Sequence, residues 1–159
     1  PSTNATYVGR VVVINVTVAN LGDDSQTFNV TLQYDSNNIS SKQVENLLPD
    51  TNRTLTFDWN TTGVTPCNYY NITAIADILP GDINETNNIG IGGPVKVKMM
   101  GDVDGDGFID GNDLYALTSA FGTYPEHPMW NSAADLNDDK TIDGSDVFPI
   151  IWNYGQSCI

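Results

Sequence analysis

Two twelve-residue segments near the C-terminal end carry oxygen-bearing side chains at matching positions, with a period of 33 residues. Positions 1, 3, 5, 9 and 12 bear a carboxylate or a carboxamide, and position 7 offers its backbone carbonyl. The candidate ligands are Asp102, Asp104, Asp106, Phe108, Asp110 and Asp113 in the first segment, and Asp135, Asn137, Asp139, Thr141, Asp143 and Asp146 in the second. Hard oxygen ligands in this number suit Ca²⁺, whereas Mg²⁺ needs a tighter octahedron with more waters. The spacing therefore predicts two calcium ions, because a repeat that served only solubility would not match position by position.

The two loops differ at position 6, where the chain is expected to turn sharply. Gly107 occupies this position in the first loop and Lys140 in the second. A residue with a side chain costs on the order of 1 kcal/mol in a left-handed conformation, and the lysine charge repels a cation. The second loop also has neutral Asn137 where the first has Asp104. We therefore predict that the first site binds calcium more tightly.

Apolar residues spaced three and four apart follow each loop, and the two sets match at the same period. They are Leu114, Leu117, Phe121 and Gly122 after the first loop, and Val147, Ile150, Tyr154 and Gly155 after the second. This spacing predicts one short helix after each loop, ending at the glycine. Pro149 is expected in the first turn of the second helix, where a missing N–H costs little. Ile109 and Ile142, at position 8, are expected to join the loops through a short β-bridge.

Residues Gly101–Gln156 resemble a type I dockerin. The opening "G-D-V-D-G-D-G", aspartate instead of glutamate at position 12 and one helix per loop carry this resemblance. It implies a calcium-folded module that binds cohesin domains and so tethers secreted proteins to scaffolds. Cohesin contacts in that family often involve Ser-Thr-like pairs at loop positions 10 and 11. This sequence has Gly111-Asn112 and Gly144-Ser145 there, which departs from the family pattern.

The charge of the chain is unevenly distributed. Residues 1–100 carry 9 acids and 5 bases, whereas residues 101–159 carry 11 acids and the single base Lys140. So acidic a segment repels itself unless a cation neutralises it. We therefore expect a boundary near Met99–Gly101, with one domain at 1–99 and another at 100–159. The net charge of −14 argues against nucleic acid as a partner, and the chain has no apolar run long enough to span a membrane.

Alternating apolar and polar residues before this boundary indicate β-strands. The runs are Val11–Ala19, Thr27–Tyr34, Arg53–Trp59, Tyr69–Asp77 and Val95–Met99, separated by turns rich in Asn, Asp, Gly and Pro. Five or six short strands with one apolar face each predict an antiparallel, all-β sandwich. The fold class is therefore a β-sandwich followed by a small helical domain with two calcium loops. Neither part carries a catalytic motif, so we expect no enzyme.

The segments "VVVINVTVANLGDDSQTFNVTLQYD", "LLPDTNRTLTFDWNTTG" and "YYNITAIADILPGDINETNN" resemble the CARDB family, over roughly residues 7–98. The resemblance implies an immunoglobulin-like module of a secreted bacterial or archaeal protein, with a role in adhesion or spacing. Family members usually begin with one more apolar strand, but here Pro1–Tyr7 is polar. Either the chain was cut from a longer protein or the missing strand comes from elsewhere, and we predict that another chain supplies it. Val95–Met99 is the best donor, although it can equally close its own sandwich.

Asn-x-Ser/Thr sequons occur at eight positions, all before the boundary. They are Asn4, Asn15, Asn29, Asn38, Asn52, Asn60, Asn71 and Asn84. One sequon is a weak signal in a sequence rich in Asn and Thr. However, Asn15, Asn29 and Asn71 all lie opposite the apolar face of a predicted strand, where a glycan can sit. The pattern predicts an extracellular, N-glycosylated protein. The first residue is Pro1, so we expect a mature product or a fragment.

The chain has two cysteines, Cys67 and Cys158. Two cysteines in an extracellular chain favour a disulfide. The bond could lie within one chain or join two subunits, and two buried free thiols are a further alternative.

These observations favour a secreted structural or adhesion protein that acts by protein–protein assembly at the cell surface, with self-assembly into a filament or sheath as the leading hypothesis. A second hypothesis is an anchor module that binds a cohesin scaffold and was cut from a larger enzyme or adhesin. A third is carbohydrate binding through Trp59, Tyr69 or Tyr70, although we expect these aromatic side chains to fill the core.

Overall fold

The computed structural model of the chain describes residue 1 and residues 3–158, and it divides into two compact units. Unit 1 comprises Pro1–Thr6, Arg10–Thr62 and Tyr69–Lys96. Unit 2 comprises Tyr7–Gly9, Gly63–Asn68 and Val97–Ile159. Two short segments from the first half of the sequence therefore fold with the C-terminal unit.

The described residues form seven strands, two α-helices and one short 3-10 helix. The strands are β1 (Ala5–Tyr7), β2 (Val11–Asn20), β3 (Gln26–Tyr34), β4 (Asn37–Leu47), β5 (Thr51–Asn60), β6 (Asn68–Ala76) and β7 (Ile89–Lys98). The 3-10 helix spans Glu85–Asn88, and the α-helices are α1 (Gly111–Ser119) and α2 (Gly144–Asn153).

The strands form two sheets, which confirms the predicted sandwich. One sheet has five strands in the order β1-β7-β6-β3-β4, and the other consists of β2 and β5 alone. The β2–β5 pair is antiparallel over ten residue pairs, from Val11 opposite Asn60 to Asn20 opposite Thr51. β3 pairs antiparallel with both β4 and β6.

The core of unit 1 follows the predicted alternation. On β2, Val12 and Ile14 are buried whereas Val11 and Val13 are exposed. Trp59 is 1% exposed, and its ring lies 5.1 Å from that of Tyr34 and 6.0 Å from that of Tyr70, measured between centroids. Trp59 therefore fills the core, as expected, and is not available as a sugar-binding surface. The same expectation is wrong for Tyr69, which is 63% exposed.

Two strands, β1 and β4, were not predicted from the sequence. β4 is exposed at eight of its eleven positions, so it lacks the apolar alternation that marks a half-buried strand. It lies at the edge of its sheet, where only one neighbour constrains it. β1 has three residues, and it lies at the opposite edge beside β7.

Of the two alternatives for Val95–Met99, the structure shows that the segment closes its own sandwich, and donation to another chain is wrong. Residues 95–98 belong to β7, which lies between β1 and β6 of its own chain. Val95 and Val97 are fully buried there, and the Lys96 N–H donates to the Asn4 carbonyl at 2.9 Å. The segment is retained because its apolar side chains already fill a core.

Candidate calcium-binding loops

The first loop brings three of the predicted ligands together. Carboxylate oxygens of Asp102, Asp104 and Asp106 all lie within 4.8 Å of one another. Asp102 is 0% exposed, and its Oδ2 atom accepts no hydrogen bond from the described residues. A buried carboxylate oxygen without a partner is costly. A cation at this point would supply the missing partner, so the residues of the first loop fit a calcium ion.

Electrostatics at Asp104 support the same interpretation. Desolvation, followed by repulsion from the carboxylates of Asp113, Asp106 and Asp102, raises the pKa of Asp104 above its usual value, against a lowering contribution from the Asp106 N–H. Each neighbouring negative charge disfavours the ionised form. A bound divalent cation would reverse this balance, because it neutralises the group that the carboxylates form.

The ligands predicted at positions 9 and 12 also cap the helices. The Asp110 carboxylate accepts from the Asn112 N–H at 2.7 Å, and the Asp113 carboxylate accepts from the Asp110 N–H at 2.8 Å. Asp143 and Asp146 form the same reciprocal capping box at the start of α2. The spacing predicted these residues only as metal ligands, although an acidic residue three positions after an N-cap aspartate is a helix-start signal.

Position 12 also closes each loop onto its first residues. Asp113 Oδ1 accepts from the Val103 N–H at 2.7 Å and the Asp104 N–H at 3.2 Å. Asp146 Oδ1 makes the same two contacts with Leu136 and Asn137, at 2.7 and 3.2 Å. Each position-12 carboxylate therefore connects the end of its loop to the beginning of the same loop.

In the second loop, the carboxylate at position 1 accepts hydrogen bonds from the loop backbone. Asp135 accepts from the N–H groups of Asp138 at 2.7 Å, Asp139 at 3.2 Å and Lys140 at 3.0 Å. The Asn137 side chain donates to Asp139 Oδ2 at 2.8 Å. These oxygens are thus partnered, in contrast to Asp102 Oδ2 of the first loop.

The backbone of the second loop carries the strain predicted at position 6, and a second instance at position 4. Lys140 has φ 68° and Asp138 has φ 66°. The matching residues of the first loop, Gly107 and Gly105, have φ 89° and 83°. Glycine adopts this region without penalty, so both positions favour the first loop. The strain at Asp138 was not predicted, although Gly105 at the matching position of the first loop was a usable signal.

The predicted β-bridge between Ile109 and Ile142 is wrong. The Ile109 N–H donates to the Gln156 carbonyl at 2.9 Å, and the Gly155 N–H donates to the Ile109 carbonyl at 2.8 Å. Ile142 makes the equivalent pair of bonds with Gly122 and Thr123. Each loop therefore pairs with the segment that follows the helix of the other loop. This exchange leaves neither isoleucine a backbone group for the expected bridge.

Helix α2 also differs from expectation in one detail. It begins at Gly144, so Pro149 is its sixth residue and lies beyond the first turn. A proline there removes one N–H to C=O bond of the helix. The Asn153 side chain donates to the Pro149 carbonyl at 2.9 Å, which supports the end of the helix. Gly122 and Gly155, which follow the helices, have φ of 78° and 82°, as predicted for helix-terminating glycines.

Tyr7 and Lys98 hold the backbone at the start of the first loop. The Tyr7 hydroxyl lies 3.1 Å from the Asp102 carbonyl and 2.8 Å from that of Ala133. Lys98 Nζ lies 3.0 Å from the same Asp102 carbonyl and 4.3 Å from the centre of the Tyr7 ring. Tyr7 is buried in the core of unit 2 together with Ile109, Leu117 and other apolar residues. This role explains why Tyr7–Gly9 folds with the C-terminal unit.

Cys67 and Cys158 form a disulfide within the chain, with a sequence separation of 91. This settles the choice that the sequence left open. The C-terminal segment beside it lies along the first loop, since the Cys158 N–H donates to the Gly107 carbonyl at 2.8 Å and Ser157 forms a β-bridge with Phe108. The disulfide therefore fastens a segment that is paired with a calcium loop.

All eight sequon asparagines are exposed, including the three on strand faces opposite the core. All eight belong to unit 1. The Asn84 side-chain oxygen accepts from the Thr86 hydroxyl at 2.6 Å, so the two polar residues of that sequon are in contact.

Comparison with known families agrees with this architecture. The CARDB family model matches residues 2–89, and the dockerin type I domain model matches residues 100–151. The first match covers more than half of the chain, which therefore belongs to the CARDB family and carries a dockerin type I region after it. Both are non-catalytic module types, usual in extracellular or cell-surface proteins, and dockerin type I domains bind calcium. Among curated proteins, no sequence matches significantly.

Three solved structures are similar to parts of the chain. The CARDB domain of a Pyrococcus furiosus protein, in complex with di-metal ions, is 25% identical with a TM-score of 0.53, covering 60% of this chain and 86% of that one. A type II cohesin–dockerin domain from Bacteroides cellolosolvens is 34% identical with a TM-score of 0.33, covering 38% and 92%. A domain of a cell surface protein from Methanosarcina acetivorans is 28% identical with a TM-score of 0.45, covering 58% and 82%. The last two TM-scores are too low to support an argument.

The helices of the described residues are too short or too polar to cross a lipid bilayer.

Proposed function

We propose that this protein is a secreted, N-glycosylated and non-catalytic assembly module of the cell surface, whose C-terminal unit is folded by two calcium ions. The observation that carries the proposal is the buried, unpartnered Oδ2 atom of Asp102 beside the carboxylates of Asp104 and Asp106. In the second loop, Asp135, Asn137 and Asp139 take the matching positions. We propose position 99/100 as the sequence boundary between the two modules.

Calcium is assigned to unit 2 because of where the carboxylates gather. Although the similar Pyrococcus furiosus domain was solved with di-metal ions, the searched part of unit 1 holds no group of three acidic, histidine or cysteine ligands at metal-binding distance. Two acidic turn residues of unit 1 accept hydrogen bonds from asparagine side chains. Asp77 accepts from the Asn29 side chain at 2.9 Å, and Asp82 accepts from that of Asn88 at 2.7 Å.

The partner proposed for unit 2 is a cohesin-type domain, on the basis of the dockerin type I match. Helix α2 offers an apolar contact surface, with Phe148, Ile151 and Trp152 exposed by 54%, 59% and 77%. The matching positions of α1 hold Tyr115, Thr118 and Ser119, and both hydroxyls of the latter two bond to the backbone of their own helix. Because the α1 surface is more polar, we propose that the partner docks through α2.

Self-assembly into a filament or sheath is the second candidate. It is favoured by the same exposed apolar surface on α2, which in a soluble monomer is a liability. It no longer has support from donation of Val95–Met99, since β7 retains that segment.

Calorimetry and native mass spectrometry test the proposal. Protein stripped with EDTA should take up two calcium ions, and a recombinant type I or type II cohesin domain should bind only in calcium. Phe148→Ala should weaken that binding, whereas Tyr115→Ala at the matching position of α1 should not. Binding of neither cohesin type, together with calcium-dependent polymers in electron microscopy, would favour the filament. Glycopeptide mass spectrometry of native protein checks the eight sequons.

A further inference from the structure

An open groove runs along one side of the sandwich in unit 1, with a cavity of about 930 Å³. We call it the β2 groove. Apolar side chains from three strands line it, namely Val16 and Val18 of β2, Phe28 and Val30 of β3, and Ala74 and Ala76 of β6. Along β2, burial is complete at Val12 and Ile14 but only partial at Val16 and Val18. The core of the sandwich is therefore less well covered at this end.

The wall of the β2 groove is a strand with one unused edge. β2 pairs with β5, and no strand of the described residues pairs with its other side. The Thr61 N–H donates to the Arg10 carbonyl at 2.9 Å, which sets the phase of the ladder. Since backbone groups alternate in direction along an antiparallel pair, those of Thr17 and Ala19 point away from β5. They are placed to pair with an added strand.

The strands of this chain are already engaged elsewhere. β1, the first strand of the chain, is held on the other sheet by the bond from the Lys96 N–H to the Asn4 carbonyl. β7 lies between β1 and β6. The described strands of this chain therefore leave the β2 groove open.

The charge of the β2 groove indicates the character of an occupant. Its lining includes Asp23, Asp24, Asp77 and Asp82 and no lysine or arginine. The Asn84 N–H and the Asn88 side chain lower the pKa of Asp82, which keeps this carboxylate ionised. An apolar floor with an acidic rim is complementary to a strand that has apolar side chains on alternate positions and basic residues at its ends.

We propose that the β2 groove binds an extended segment of a partner protein, which adds as a strand to the free edge of β2 and presents lysine or arginine to the acidic rim. Main-chain bonds to Thr17 and Ala19 supply affinity, and the apolar floor selects alternate side chains. This interaction uses unit 1 and is independent of the calcium loops, so it stands or falls separately from the proposed function.

The test uses the full chain and a labelled synthetic peptide in which Val and Thr alternate between Lys-Lys ends. Fluorescence anisotropy should show saturable binding, and hydrogen exchange should show new protection of the Thr17 and Ala19 amides. A peptide of the same composition with its valines in one block, and a peptide with Glu-Glu ends, should bind about ten-fold more weakly. Equal binding of the block peptide would overturn the proposal, as would the absence of saturable binding.

Variants of β2 locate the contact. Val18→Asp places a charge on the groove floor, and Ala19→Pro removes an N–H that faces the open edge, where proline is tolerated. Each should weaken peptide binding about ten-fold. Val13→Asp, on the exposed face of the same strand, is the matched control and should bind as the parent does. Circular dichroism and thermal unfolding verify that each variant is folded, and unchanged affinity in folded Val18→Asp would contradict the proposal.

A measurement on the protein without peptide distinguishes a different partner protein from a second copy of this chain. Sedimentation velocity should show the same state of association for the parent and for Ala19→Pro. Self-association that Ala19→Pro abolishes would identify the occupant as a second copy and would overturn the assignment to a different partner.

Discussion

Asp102 and Asp135 occupy the same position in two loops of one duplicated design, yet their carboxylates are used differently. Asp135 accepts three backbone N–H groups, whereas Asp102 Oδ2 is buried with no hydrogen bond from the described residues. The second loop therefore compensates internally for part of what a cation would supply. Like Lys140 and Asn137, this difference predicts weaker calcium binding in the second loop.

We predict that the two calcium sites differ in affinity, with the first loop tighter. Asp106→Ala and Asp139→Ala are matched variants, because each carboxylate accepts from the N–H two residues later, at 2.8 and 2.9 Å. Titration calorimetry of each variant isolates the loop that remains. Asp139→Ala should retain the tighter site, and the reverse ranking would refute the prediction.

We predict that Lys140→Gly strengthens the second site. The substitution removes a positive charge and a residue held at φ 68°, which costs about 1 kcal/mol. Calcium affinity of the second loop should rise about five-fold, and stability in calcium should rise with it. Lys96→Gly would not serve as a control, since it alters β7. Lys140→Ala is suitable, because it removes the charge and keeps the strain. Equal gains in the two variants would assign the effect to charge alone.

At the level of elements, the helices and loops depend on one another. The aspartates at positions 9 and 12 cap α1 and α2 while also holding the loop backbones. The loops in turn pair with segments that follow the opposite helices. Unfolding of one loop should therefore release the end of the other helix, which makes the duplicated region a single cooperative structure.

We predict that Tyr7→Phe destabilises unit 2 by about 1 kcal/mol, the usual net value of one hydrogen bond. The lost hydroxyl lies 2.8 Å from the Ala133 carbonyl, and it helps to hold the start of the first loop. Urea unfolding in calcium, followed by helical circular dichroism, measures the effect. Tyr69→Phe is the control, because Tyr69 is largely exposed, and a loss of the same size there would argue against a specific role.

The elements that the sequence predicted share a local signal. The period of 33 residues was sufficient to place both helices, and the alternation at Val12 and Ile14 was sufficient to orient β2. β4 was not predicted, because an edge strand with solvent on most sides needs no apolar alternation. The pairing of Ile109 with Gly155 and Gln156 was not predicted either, because contacts between residues so distant in sequence produce no periodic pattern.

At the level of the whole molecule, charge and sequons separate along the chain. All eight sequons belong to unit 1, whereas residues 101–159 carry 11 acids and one base. One part is thus suited to carry sugars and the other to hold cations. The sequence made this division visible, because composition requires no knowledge of contacts. It did not reveal that Tyr7–Gly9 and Gly63–Asn68 fold with the acidic unit.

We predict that removal of calcium unfolds the helices and spares the sandwich. The carboxylates of the two loops repel one another, and helices of nine and ten residues are too short to be stable alone. Metal-binding energy is then folding energy. Excess EDTA should abolish the helical circular dichroism signal and leave the β signal. Persistent helicity in the chelator would contradict this, and magnesium should restore the signal less well than calcium.

The pairing of Cys67 with Cys158 has a consequence for biosynthesis. A chain leaves the ribosome from its N-terminus, so Cys67 is made long before its partner, which follows α2. Tyr7, which packs in the core of unit 2, is made even earlier than Cys67 and must also remain unpacked until its core partners are made. The calcium unit therefore cannot close before Cys158 has been made, and contacts so distant in sequence form slowly. Until then Cys67 has no partner, so this unit closes only where an oxidant is available after Cys158 has been made.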